Sequence, residues 1–170
     1  TSTSDGNITI SGNTISRITN YGTSKGGAIG IDCSSGSYIV KNNSIENLFS
    51  DAYNNSIMGI VMGINVSNTA GNQIITENTI TNLKTTTLWV EKWIYGIHFT
   101  DNTAEENIVS LNHINDIEFT GNEGRGIGIK IENSTTTVAM NNAMRLGHNQ
   151  TNNRFIVGIL SGGNNKILGN

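Results

Sequence analysis

The chain has 170 residues, a formal net charge of −3, 14 % charged residues, 20 glycines, one cysteine and no proline. That length supports one domain with a real core, and the low charge offers no basic stripe for nucleic acid. Low charge without proline also argues against a disordered linker, and no window approaches the roughly 20 apolar residues that a membrane span needs.

The first strong local signal is the stretch GGAIGIDCSSGSYIVKNNSIENL, residues 26–48. Its first half, Gly30-Ile31-Asp32-Cys33, returns as Gly63-Ile64-Asn65-Val66, Gly96-Ile97-His98-Phe99, Gly128-Ile129-Lys130-Ile131 and Gly158-Ile159-Leu160, at spacings of 33, 33, 32 and 30 residues. Its second half returns as well, in ITISGNTI (8–15), IVKNNSI (39–45), IITENTI (74–80), IVSLNHI (108–114) and VAMNNAM (138–144), with KILGN closing the chain at 166–170. Two markers that hold one phase through the chain describe a coil rather than a single hairpin.

The repeated segments are short, rich in Ile and Val, and alternate with period two, which is a strand pattern. A lone strand of this kind cannot bury its apolar face. Stacked copies can, each pairing with its equivalent one coil away at about 4.8 Å. Ile31, Ile64, Ile97, Ile129 and Ile159 are expected to form one interior ladder, and Ile15, Ile45, Ile80, Ile114 and Met144 another. Cys33 falls in the strand pattern and reads as a small buried hydrophobe. A single cysteine allows no disulfide within the chain and fits no metal-ligand spacing, so neither a metal nor a cofactor is expected.

Asn13, Asn43, Asn78, Asn112, Asn142 and Asn170 recur in register between strands. Asparagine tolerates the left-handed backbone of a sharp corner. Stacked amides can also hydrogen-bond along the coil axis, so these six are assigned to a structural ladder. The segments from each corner to the next glycine-led strand are longer and are expected to emerge together at one edge. Residues beside the glycine ladder (Val61, Ile94, Ile156) read as a covered outward flank.

The Asn-x-Ile segments and the Gly-Ile strands resemble the parallel β-helix repeats of the pectate-lyase-like superfamily, over essentially the whole chain. The resemblance implies an all-β fold, a right-handed single-stranded parallel β-helix, here of about five and a half coils with a period of about 32 residues. It leaves the activity open, because such repeats carry lyases, hydrolases, epimerases, phage tailspikes and surface adhesins.

The outward column of the Gly-Ile strand reads Asp32, Asn65, His98, Lys130, Leu160. A lyase needs a base and a cation or metal, for which Lys130 with Arg125 or Arg154 are the nearest groups. Calcium would need several carboxylates at one point, and the column holds only Asp32. Glycoside hydrolysis needs two carboxyls about 5–9.5 Å apart, with Asp101 and Glu132 the nearest pair. The ionisable residues look scattered, and the reading leans away from an enzyme. The aromatic stretch LWVEKWIYGIHF (88–99) suits sugar faces better. Trp89 and Trp93 are expected as a loop pair, with His98 and Asp101 as polar neighbours, while alternation points Tyr95, Ile97 and Phe99 inward.

Thr1 aligns with the turn after a Gly-Ile strand, and Asn170 stops at a corner. Residues 1–170 therefore read as one β-helix segment, uncapped at both ends and part of a larger chain, with further β-helix coils as partners. The function expected is that of a structural or adhesive segment of an extracellular or cell-surface protein that contacts polysaccharide or cell-surface glycan. The alternative is the scaffold of a carbohydrate-active enzyme.

Overall fold

A computed structural model describes residues 7–21, 27–51, 60–67, 71–87, 93–100, 106–121, 124–132, 137–147 and 155–170. The first coil holds β1 (Asn7–Ser11), β2 (Thr14–Ser16), β3 (Thr19–Asn20) and β4 (Ala28–Ser34). The second holds β5 (Ser37–Lys41), β6 (Ser44–Ser50) and β7 (Ile60–Ser67), and the third β8 (Ile74–Thr76), β9 (Thr79–Thr87) and β10 (Trp93–Thr100). The fourth holds β11 (Asn107–Ser110), β12 (His113–Gly121) and β13 (Arg125–Glu132). The fifth holds β14 (Thr137–Met140), β15 (Ala143–Arg145) and β16 (Phe155–Ser161), and β17 (Lys166–Leu168) follows.

Every strand pairs in parallel with its equivalent in the neighbouring coil, which generates three sheets. The first sheet runs β1-β5-β8-β11-β14-β17, the second β2-β6-β9-β12-β15 with β3 beside β6, and the third β4-β7-β10-β13-β16. The molecule is an all-β parallel solenoid with a period of about 32 residues. Its packed body spans about four turns, fewer than the repeat count suggests. The reason is burial: β1, β2, β15, β16 and β17 contain no fully buried residue.

The core lies between the three sheets. Ile31, Ile64, Ile97 and Ile129 stack in it from the third sheet, and Ile45, Ile80 and Ile114 face them from the second, as the repeat predicts. Ile15, Ile159 and Met144 pack against its ends.

Simple alternation fails at two recurring points. In the third sheet, Gly30, Gly63, Gly96 and Gly128 are skipped in the pairing register, so that the residues on both sides of the skip reach the core. Val61 and Ile94 are therefore buried in the main core and do not form an outward flank; Ile156 continues their column through Gly126. Tyr95, expected inside with Ile97, instead joins a separate apolar cluster with Met62 and Ile127. In the second sheet, Arg17, Asn47, Asn82 and Asp116 adopt positive φ at a bend that turns Leu48, Leu83 and Ile117 into the core. The strands of the second sheet thereby run on into what reads as long loop.

The asparagine ladder is present, with one correction. The left-handed residue is the one before each ladder asparagine: Gly12, Asn42, Glu77, Leu111, Asn141 and Gly169. The ladder asparagines supply amides rather than backbone freedom. Asn43 Oδ1 accepts from both the backbone N and the Nδ2 of Asn13 at 3.0 Å, and Asn43 Nδ2 donates to Asn78 Oδ1 (2.9 Å) and to the Ile10 carbonyl (3.0 Å). The same pattern continues through Asn112 and Asn142 to Asn170.

Candidate functional site

The glycine skip also builds the outer face of the third sheet. Because Gly96 and Ile97 both turn inward, Trp93, Tyr95 and His98 emerge side by side on the outside of β10. Trp93 stacks on Tyr95 with centroids 5.8 Å apart and ring planes 18° apart, and Tyr95 stacks on His98 at 4.8 Å and 21°. Tyr95 lies buried within this stack, while Trp93 is half-buried.

Cations from β13 lie over the rings. The Arg125 guanidinium sits 4.8 Å from the Trp93 centroid and 5.6 Å from that of Phe155, which is 51 % exposed. Parallel pairing sets the three in one column, Trp93, Arg125, Phe155, on successive strands. Lys130 Nζ lies 5.5 Å from the Trp93 centroid and 5.3 Å from that of Tyr95.

Beside the rings runs the polar column read from the sequence, and here the ionisable groups converge after all. Asn65 Nδ2 donates to Asp32 Oδ1 (2.8 Å), which turns Asn65 Oδ1 toward His98 Nδ1 (3.0 Å). His98 Nε2 faces Glu132 Oε1 at 3.2 Å, and Lys130 Nζ binds Glu132 Oε2 at 2.9 Å. Burial alone would raise the Glu132 carboxyl; hydrogen bonds from Lys130 and His98, and their charge, outweigh it and hold the group below its ordinary value. Both His98 ring nitrogens thus lie within hydrogen-bond distance of side-chain oxygens, Asn65 Oδ1 and Glu132 Oε1.

Of the expected glycan residues, Trp93 and His98 come together on this face. Trp93 belongs to a strand rather than to a loop pair. Trp89 and Asp101 lie outside the described residues, as does Arg154. Glu132 is engaged by Lys130 and His98; its expected carboxylate partner Asp101 lies outside the described residues, and among the described residues no three His, Cys, Asp or Glu side chains gather as a metal site. The sequence reading missed Arg125 with Phe155 as ring partners and Tyr95 as an outward residue. The signal for Tyr95 was the glycine in constant phase, which shifts alternation by one.

Cys33 is fully buried, and burial, aided by the Asp32 charge, pushes its thiol up to about 12. It is an inert core residue rather than a nucleophile.

No protein-family model matches the chain, and no curated protein or solved structure matches it either.

Proposed function

We propose that this chain is a rigid β-solenoid segment of an extracellular or cell-surface protein, structural or adhesive in role, that contacts polysaccharide through the outer face of its third sheet. The observation that carries the reading is the column Trp93–Arg125–Phe155, where a guanidinium lies between two rings, one of them half exposed to solvent. Aromatic faces accept the C–H face of a pyranose, and a guanidinium supplies a fork of donors to ring hydroxyls or a carboxylate. Further β-helix coils are proposed as its partners, because every coil here is held by parallel pairing with the next. Trp89 and Asp101 belong to the same proposal as neighbours of Trp93 and His98 in sequence. The extracellular placement rests on the resemblance to pectate-lyase-like repeats.

The polar network favours this reading over the enzyme scaffold. A general base must reach its substrate with an open nitrogen, and both ring nitrogens of His98 are already engaged, by Asn65 and Glu132. Lys130 is tied to Glu132.

The test is affinity electrophoresis against acidic and neutral polysaccharides, with product release followed in the same samples. Retention is expected, and Trp93→Ala or Arg125→Ala should weaken it by about tenfold, the loss of one ring or cation contact. Unsaturated or reducing-end products that vanish in Lys130→Ala would replace the adhesive reading with the enzymatic one. Retention unchanged in both variants would remove the site from this face.

A further inference from the structure

A second recognition surface lies on the outer face of the second sheet. A groove of about 300 Å³ is lined by Tyr21, Asn47, Leu48, Phe49, Asn82 and Lys84. We propose that it is a subsite for one neutral pyranose residue of a glycan. This inference does not rest on the Trp93 face; the two share no residue.

Size is the first argument. Ligand pockets start at about 300 Å³, so this groove takes a single sugar ring rather than a folded peptide or a cofactor. The wall is the second argument. Tyr21 meets Phe49 edge to face, with centroids 5.7 Å apart and planes at 60°, yet Tyr21 remains 75 % exposed. An aromatic pair held open to solvent offers a π surface to sugar C–H groups.

The polar groups decide the ligand class. Asn82 Nδ2 donates to Asn47 Oδ1 across the coils, which fixes both amides. Asn47 Nδ2 and Asn82 Oδ1 then carry no partner among the described residues, and neither does the Tyr21 hydroxyl. The groove therefore presents a donor, an acceptor and a group that is both, the set that neighbouring sugar hydroxyls require. Lys84 is paired with Glu118 at 3.0 Å, so its charge is balanced locally. That balance favours a neutral ring, in contrast to the cations over Trp93. Asn47 and Asn82 hold φ of 58° and 55° at the bend of the strands, so both amides are carried on a backbone fixed by the fold.

Saturation-transfer NMR on the whole chain tests this, with a panel of neutral gluco-, galacto- and manno-oligosaccharides and a uronate oligomer as probes. At least one neutral oligosaccharide should bind. Tyr21→Ala should weaken that binding by about tenfold. The double variant Asn47→Gly with Asn82→Gly, which keeps the positive φ and deletes both amides, should weaken it further, while Gly162→Ala, at a position where an added Cβ meets nothing, leaves it unchanged. Tyr21 is too exposed for its removal to unfold the chain, and an unshifted melting temperature serves as the check. The proposal falls if no neutral sugar binds at millimolar concentration. It also falls if Tyr21→Ala and the double glycine variant bind as the parent does. Binding of the uronate alone, lost in Trp93→Ala, would overturn this subsite and leave the Trp93 reading standing.

Discussion

Glycine serves the third sheet through what it lacks. A Cβ placed on Gly96 would lie 2.6 Å from Ile114 Cγ2 and 2.5 Å from the Gly128 carbonyl oxygen, and Gly63 meets Ile80 and Gly96 in the same way. The sheets approach each other too closely here for any side chain. Gly96→Ala should therefore cost about 2–3 kcal/mol, because overpacking forces core side chains off their rotamers and shifts backbone. Gly162, whose Cβ would meet nothing within 4 Å, is the control, and Gly162→Ala should be near neutral. Denaturant midpoints of the two variants measure the difference; equal values would mean that the sheets do not meet at Gly96.

At the scale of the element, the corner between the first and second sheets is held by side chains as much as by backbone. Asn78 is 1 % exposed and makes contacts in both directions along the axis. Its Oδ1 accepts from Asn43 N and Nδ2, and its Nδ2 reaches the Val40 carbonyl and Asn112 Oδ1. Asn78→Ala would strand the buried Asn43 N–H and the Val40 carbonyl, both of the second coil, at a cost of about 2–4 kcal/mol. Asn13→Ala, at an exposed rung, should cost about 1 kcal/mol or less. Thermal unfolding that ranks the two the other way would show that the ladder is ornamental to stability. A second ladder opens the first sheet: Gln73 Oε1 accepts from Tyr38 N at 3.0 Å, Asn107 Oδ1 from Gln73 N at 3.1 Å, and Asn165 Oδ1 from Thr137 N at 2.9 Å. Its mixed residue types hid it from a search for identical letters.

For the whole molecule, two groups of the third sheet, Cys33 on β4 and Glu132 on β13, bound the pH range of stability. The Cys33 thiol is raised from 9.0 to about 12, so folding holds its proton. The stability this supplies is complete below pH 9.0 and is lost as pH rises toward 12, with a limiting slope of about 1.4 kcal/mol per pH unit. Glu132 is shifted the other way, below 4.5, so its contribution is present above pH 4.5 and is lost as pH falls through the folded value. Unfolding free energy measured against pH should fall at both ends. Cys33→Ala should flatten the alkaline side, and Glu132→Gln the acid side. An alkaline slope that persists in Cys33→Ala would assign it to other groups.

The fold was legible in the sequence because a solenoid repeats its physics. Each coil must meet the same neighbour in the same place, so Ile31, Ile64, Ile97 and Ile129 recur in phase and the six asparagines keep step. A one-dimensional pattern then carries the three-dimensional stacking. What the letters by themselves did not carry was the direction of side chains past a bend. A bend shifts alternation by one residue, and neither Gly96 nor Asn82 announces it locally, since Gly96 works by a close approach from Ile114 and Asn82 by a backbone turn within a strand. Tyr95 was therefore misplaced, and the strand ends beyond Asn47 and Asn82 read as loop. The repeat had already set His98 beside Lys130 in the outward column, but other contacts between coils were hidden. Arg125 and Phe155 are 30 residues apart, and Glu132 meets His98 only because parallel pairing lays β13 beside β10. The sequence determined the coil, its period and its core; tertiary stacking alone decided which aromatic and charged groups share a surface, because only the sheet register brings residues of different coils within a hydrogen bond of one another.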